Sequence, residues 1–258
     1  MATSRPDKDN GEETDPRTLA AMAWTLRREG CHNINWVGGE VVIHLHAIVD
    51  AIALLGRDFT PTQAELRRAR RTKPTVCSGS TQCPGRLSMR ASSMRQCCGT
   101  ATFFITLESM KILRVLTDVW LPDFKFGPGR CAMELAKTPW YWETVTRNLA
   151  LIAEWGEDFS IRHLVMPNHV ECCTYPVLEW VAEHMPEAPV NVMAQFHPDN
   201  FCDSASTKYR DKYAEIARRP SRTELNKSWR RARELGLKFE TTTFERSNTL
   251  GMPALLQM

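Results

Sequence analysis

The chain has 258 residues (29.4 kDa), 43% of them hydrophobic and 24% charged, which gives a globular protein ample core for one α/β barrel or two small domains. A formal net charge of +3 is too small to argue for nucleic acid, and the basic runs around Arg67–Arg71 and Arg218–Arg233 read as solvated helix faces. No stretch approaches the ~20 apolar residues that span a bilayer, and Met1–Asp15 is polar, unlike a secretory signal, so no membrane and a reducing, cytoplasmic setting are expected.

In chain order, residues 1–15 are expected to be disordered. Asp15-Pro16 then caps a predicted helix over Arg17–Glu29, with Leu19, Met22, Ala23 and Leu26 on one face and Gly30 as its stop. Asn33–Val37 reads as a short buried strand running into Gly38-Gly39, and His44–Leu55 as a helix ended by Gly56. Thr106–Leu116 is helical by period, and Thr117–Leu121 is a strand entering the loop Pro122–Gly129.

Pro139–Trp155 reads as an amphipathic helix, Ser160–Met166 as a strand and Pro176–His184 as a helix. Val190–Phe196 is a strand ending at His197-Pro198. Thr223–Leu235 is a helix opened by Ser221 or Thr223 with Glu224 in its first turn, Lys238–Thr243 is a last strand, and residues 248–258 are a tail. Strands alternating with helices of this length predict βαβ units and a parallel sheet, whose ligand site lies at the carboxyl ends of the strands. Arg57 to about Thr102 is the exception, with four cysteines, Pro-Gly and scattered Arg but no period of either kind.

Several segments, taken in order, resemble radical S-adenosylmethionine (AdoMet) proteins related to the pyruvate formate-lyase activating enzymes. Cys31-His32-Asn33-Ile34-Asn35-Trp36-Val37-Gly38-Gly39-Glu40 is similar to that family's second strand and Gly-Gly-Glu motif, although Val41-Val42 replace its usual Pro-Thr. Asp118–Gly127, with Leu121-Pro122-Asp123-Phe124-Lys125, resembles the strand ending Asp-Leu-Lys. Pro139-Trp140-Tyr141-Trp142 with Arg147-Asn148 resembles the following helix. Arg162–His169 looks like the strand with an Arg start and a Val-x-Pro-Gly end, Asn168 replacing the glycine, and Asn191–Pro198 like the late strand with its histidine. The branch carrying His-Asn-Ile-Asn, Leu-Pro-Asp-Phe-Lys and Glu-Cys-Cys-Thr matches best.

The resemblance implies an α/β fold, a partial and open (β/α) barrel over residues 16–247, built on strands near Ile34, Val119, Ile161, Val192 and Phe239. It implies that Gly38, Gly39 and Glu40 hold the amino group of AdoMet, that Lys125 and His197 hold its carboxylate or ribose side, and that Arg162 lines the strand ends. A complete relative would carry a [4Fe–4S] cluster and cleave AdoMet reductively to a 5′-deoxyadenosyl radical, acting on a protein or small-molecule substrate that the sequence does not specify.

The Cys-x-x-x-Cys-x-x-Cys motif that such a cluster needs does not occur in this sequence, where the first cysteine is Cys31. A chain lacking the first strand and the cluster loop is therefore expected to be inactive. Cys77, Cys83, Cys97 and Cys98 match no cluster or zinc spacing, and the adjacent side chains of Cys172-Cys173 are expected to diverge. No metal ligand set is assigned, and all nine cysteines are expected to be free thiols.

The third strand of this branch reads Trp-Asn-Ser-Asn-Phe, and Cys98–Phe103 stands in its place. Codons starting on the third base of those residues can spell that very sequence. About 67–105 is therefore expected to be an irregular insertion translated out of frame. Two other classes stay open: a non-catalytic α/β remnant or protein-interaction module, and a metal-binding module built on Cys77–Cys98.

Overall fold

A computed structural model describes residues 14–31, 34–36, 41–56, 59–71, 97–99 and 103–240, and the chain separates into two compact units, 1–121 and 122–258. The boundary falls inside the single domain expected over 16–247. Gly38, Gly39, Glu40, Cys77 and Cys83 lie outside the described residues.

In the first unit, helix α1 (Pro16–Arg28) starts where the sequence signals it. The Asp15 side chain accepts from the Thr18 N–H, and Pro16 occupies a position whose N–H would have no partner. Strand β1 (Ile34–Trp36) leads, through a 3-10 turn at Val41–His44, to α2 (Leu45–Leu55). Ala20 and Ala23 of α1 meet Ala51 and Leu55 of α2, and the three alanines let the two backbones approach. A third helix, α3 (Gln63–Arg71), is tied to the start of α1 by Arg17–Glu65 and by Arg68–Asp15 at 3.1 Å. Then follow β2 (Cys97–Gly99), α4 (Leu107–Leu116) and β3 (Val119–Trp120).

Strand β2 pairs in parallel with β1 (Ile34 opposite Cys97) and with β3 (Cys98 opposite Val119). The expectation of irregular chain over 67–105 is thus narrowed at both ends. Gln63–Arg71 is helical, and residues 97–99 form a strand that shares only Cys98 and Gly99 with the stretch Cys98–Phe103 standing in the third strand's place. A parallel slot between two strands is filled through backbone N–H and C=O groups, which any sequence but proline supplies.

In the second unit, α5 (Tyr141–Glu154), β4 (Asp158–Phe159), β5 (Ile161–Leu164), α6 (Tyr175–His184), β6 (Val190–Met193), α7 (Arg222–Glu234) and β7 (Phe239–Glu240) follow one another. β5, β6 and β7 pair in parallel in that order. On the other side of β5, Arg162 donates to the Pro122 carbonyl at 2.8 Å and accepts from the Phe124 N–H at 2.9 Å, so residues 122–124 act as a further parallel strand.

One face of this sheet carries the buried apolar residues Ile161, Val165, Val190 and Val192 together with His163, and α5 and α6 bury Val145, Leu149, Ile152, Val177, Leu178 and Val181. Ser221 caps α7 with Glu224 in a reciprocal capping box, and Trp229 of α7 donates its indole N–H to the Val192 carbonyl at 3.1 Å. Two π-helical turns interrupt this regularity, Ala132–Ala136 and Val170–Thr174. The open parallel sheets and flanking helices form a mixed α/β fold. Among the described residues no helix is long and apolar enough to cross a membrane.

Candidate functional sites on the second sheet

Side chains alternate along a strand, and residues opposite each other in parallel strands share a face. Asp123, Lys125, Arg162 and Asn191 are thereby placed on one face of the sheet, opposite to Phe124, whose ring meets Trp142 of α5 and Trp180 of α6. The Asp123 carboxylate is 8% exposed and lies 2.8 Å from Lys125 Nζ and 2.6 Å from Arg162 Nη2. The Arg162 contact is close but lies off the direction a hydrogen bond favours, and Arg162 Nε is a buried donor with no acceptor among the described residues. Two cations around one anion leave this cluster with one net positive charge.

The backbone under the cluster is pinned by Tyr141, whose buried hydroxyl accepts from the Lys125 N–H at 2.9 Å and donates to the Asp123 carbonyl at 3.2 Å. Burial, more than any neighbour, pushes the Tyr141 phenol above its ordinary value. The structure brings Lys125 and Arg162 together through Asp123. His197 stands beyond the carboxyl end of β6, with Nδ1 3.2 Å from the Pro198 carbonyl. Arg162 is the second residue of β5, some way from that strand's carboxyl end.

His163 faces the other way and is fully buried. Nδ1 lies 2.8 Å from the Phe124 carbonyl, which can only accept, so that nitrogen carries the proton; Nε2 lies 2.9 Å from Thr174 Oγ1. Burial lowers its pKa from 6.5 to about 4. A neutral histidine therefore links the Asp123–Lys125 segment to the turn after β5, a role that strand periodicity does not reveal.

That turn holds a second cluster. Val165 ends the sheet pairing, and Asn168 takes the left-handed conformation (φ 65°) at the position where the resemblance has glycine. The Asn168 N–H and Arg218 both donate to Glu224, which ties the turn to the cap of α7. His169, Cys172 and Cys173 follow at i, i+3 and i+4, and a helical turn aims those three side chains one way. Cys131, at the start of the Ala132–Ala136 turn, joins them. The four donor atoms all lie within 4.8 Å of one another: Cys131 Sγ to Cys172 Sγ is 3.5 Å, Cys172 Sγ to Cys173 Sγ 3.9 Å, and His169 Nδ1 to Cys172 Sγ 3.3 Å.

The expectation that Cys172 and Cys173 diverge suits a strand, where neighbours point oppositely; in a helical turn they differ by only about 100°. The fold also seats the loop 127–131 hard against this turn. A Cβ on Gly127 would come 2.0 Å from the Cys172 carbonyl oxygen, so only glycine permits the approach. Burial, with the Cys131 thiol beside it, pushes Cys172 up to about 11. Burial raises Cys173 too, against a Gly127 backbone N–H that favours its thiolate.

No family model matches the chain. An uncharacterized protein of Methanocaldococcus jannaschii is 29% identical over 224 residues, which is 86% of this chain and 52% of that protein. The chain thus spans about half the length of this curated relative. The crystal structure of a domain of pyruvate-formate lyase-activating enzyme from Bacteroides vulgatus is similar to this fold with a TM-score of 0.51 at 15% identity, over 83% of this chain and 100% of that domain. At that identity the likeness is one of fold.

Proposed function

We propose that this chain is a radical AdoMet-type domain of the pyruvate formate-lyase activating lineage, and that its charged sheet face receives the carboxylate end of AdoMet. The observation carrying this is Lys125 and Arg162 meeting on a buried Asp123, with a spare buried donor at Arg162 Nε and one net positive charge. A buried donor lacking an acceptor costs free energy until a ligand supplies one. The likeness in fold to an activating-enzyme domain supports the choice of AdoMet. His197, in the same unit as Lys125 and Arg162, serves the ribose side.

The iron–sulfur cluster of that family supplies, when bound, the electron that breaks the sulfonium bond. The donor set here does not fit it. The sequence has no Cys-x-x-x-Cys-x-x-Cys motif, and the thiols of Cys131, Cys172 and Cys173 converge on one point, whereas a cubane spreads its thiolates over separate irons. These residues therefore supply no reductive step, and the chain binds AdoMet weakly and does not cleave it. Its working compartment is a reducing one, and its substrate class is a protein or a small molecule.

Equilibrium dialysis against labelled AdoMet tests the binding. Weak saturable binding, lost in Lys125→Met and Arg162→Met, is expected, as is no 5′-deoxyadenosine after anaerobic treatment with iron, sulfide and dithionite. Absence of saturable binding in the folded chain removes the AdoMet reading and leaves a non-catalytic protein-interaction module. Detected 5′-deoxyadenosine removes the statement about cleavage.

A further inference from the structure

The geometry points to a zinc site, formed by Cys131, His169, Cys172 and Cys173, that clips the loop 127–131 to the turn after β5. It is independent of AdoMet binding.

Zinc takes thiolates at about 2.3 Å and imidazole at about 2.0–2.1 Å in a tetrahedron. Such a tetrahedron has sulfur–sulfur edges of about 3.8 Å and nitrogen–sulfur edges of about 3.6 Å. The sulfur pairs here stand at 3.5 and 3.9 Å and the nitrogen–sulfur pair at 3.3 Å, so a central ion needs only small adjustments. Three thiols and an imidazole are soft and borderline donors, which select zinc over magnesium or calcium.

Two further observations belong to a metal centre rather than to packing. The second ring nitrogen of His169, Nε2, is buried, lacks a hydrogen bond, and lies 3.6 Å from the Glu215 carboxylate. A carboxylate behind a ligating histidine fixes its tautomer and orientation. At Gly127 a Cβ would come 2.0 Å from the Cys172 carbonyl oxygen, so the loop leading to Cys131 lies against the turn that carries the other ligands. Packing alone gives no reason to bring three thiols and a histidine together beside a glycine that must be glycine.

Four protein ligands leave no open position for substrate, so the ion is structural. It closes a link between residues 41 apart in sequence and secures the chain just after Lys125 and just after β5. Binding requires the thiols to lose their protons, so zinc uptake releases acid.

The test uses the full chain, made in zinc-supplemented medium and purified without an immobilised-metal column. Metal analysis is expected to give one zinc per chain, and cobalt substitution to give the intense visible bands of a tetrahedral, thiolate-rich site. Cys131→Ser, Cys172→Ser and Cys173→Ser should each weaken zinc by more than about 100-fold, and Glu215→Gln by about 10-fold. His169→Cys should keep the zinc with a shifted cobalt spectrum, which guards against variants that merely misfold. The Cys202→Ser chain, and the chain with Cys77, Cys83, Cys97 and Cys98 all changed to Ser, should keep it unchanged. Substoichiometric zinc in the wild-type chain overturns the site. So does zinc that survives Cys172→Ser/Cys173→Ser, or an iron–sulfur chromophore that depends on Cys131.

Discussion

The charged face and the cysteine turn of the second unit solve the burial of polar groups in opposite ways. Around Asp123 the compensation is internal: one carboxylate answers two cations, and what is left over is one charge and one N–H. Around Cys172 the donors meet chiefly one another. Burial holds two of those thiols in their neutral form, and only a cation at their centre would turn them into partners for one another. Ion-paired sites tolerate an empty state and wait for a ligand, whereas donor-only sites are completed by the ion itself.

The largest expected effect breaks the first arrangement and spares the second. Asp123→Ala strands two partly buried cations and should cost about 3–5 kcal/mol in denaturant unfolding, with AdoMet binding lost and zinc content unchanged. A smaller loss, under about 1 kcal/mol, would mean that solvent already screens the pair.

Acid should loosen both clusters together, because His163 touches the backbone of one and the turn of the other. Its folded pKa is lowered, so between pH 6.5 and about 4 the unfolded chain binds a proton that the folded chain refuses. Stability is present above that window and falls as pH drops through it, by up to about 3 kcal/mol. Urea midpoints at pH 7 and pH 5 should differ less in His163→Gln than in the parent chain; equal differences would remove His163 as the cause.

Gly127→Ala does the reverse of Asp123→Ala. The new methyl collides with the Cys172 carbonyl, so about 2 kcal/mol and most of the zinc affinity should go while AdoMet binding persists. Retained zinc at parental affinity would show that the loop can yield. The mildest change is Tyr141→Phe, which leaves the Lys125 N–H unsatisfied; a loss of about 1–2 kcal/mol and a weaker AdoMet signal are expected from thermal unfolding and dialysis.

The charged face was legible in the sequence only in part, and the cysteine turn was not, for a physical reason. Arg162 falls in a stretch read as a strand, whose period of two puts it on a sheet face; Lys125 was read in the loop Pro122–Gly129 and singled out only through the resemblance, and Asp123 as the shared partner was missed. The helix start at Asp15-Pro16 was legible because capping is local chemistry, and of the two caps open for the last helix, Ser221 and Thr223, the structure uses Ser221. Asn168 held its place because asparagine tolerates the left-handed backbone. Cys131 lies 41 residues from Cys172, and no local rule joins them. The expected divergence of Cys172 and Cys173 assumed an extended loop where the chain makes a helical turn. Helix α3 and strand β2 fell in a stretch without hydrophobic period; one is held by ion pairs and the other by backbone pairing, neither of which leaves a periodic trace.

Both segments that bring the sulfur donors together carry a π-helical turn, Ala132–Ala136 just after Cys131 and Val170–Thr174 around Cys172 and Cys173. A π turn is an α-helical turn with one residue too many, and the surplus residue rotates everything before it by about 100° relative to everything after. The convergence of the sulfurs is therefore a matter of residue count as much as of residue identity. Deleting Glu171 alone would leave every cysteine in place and restore ordinary helical register. It would swing His169 away from Cys172 and Cys173, so in this chain a change of length by one is as severe for the site as the loss of a ligand.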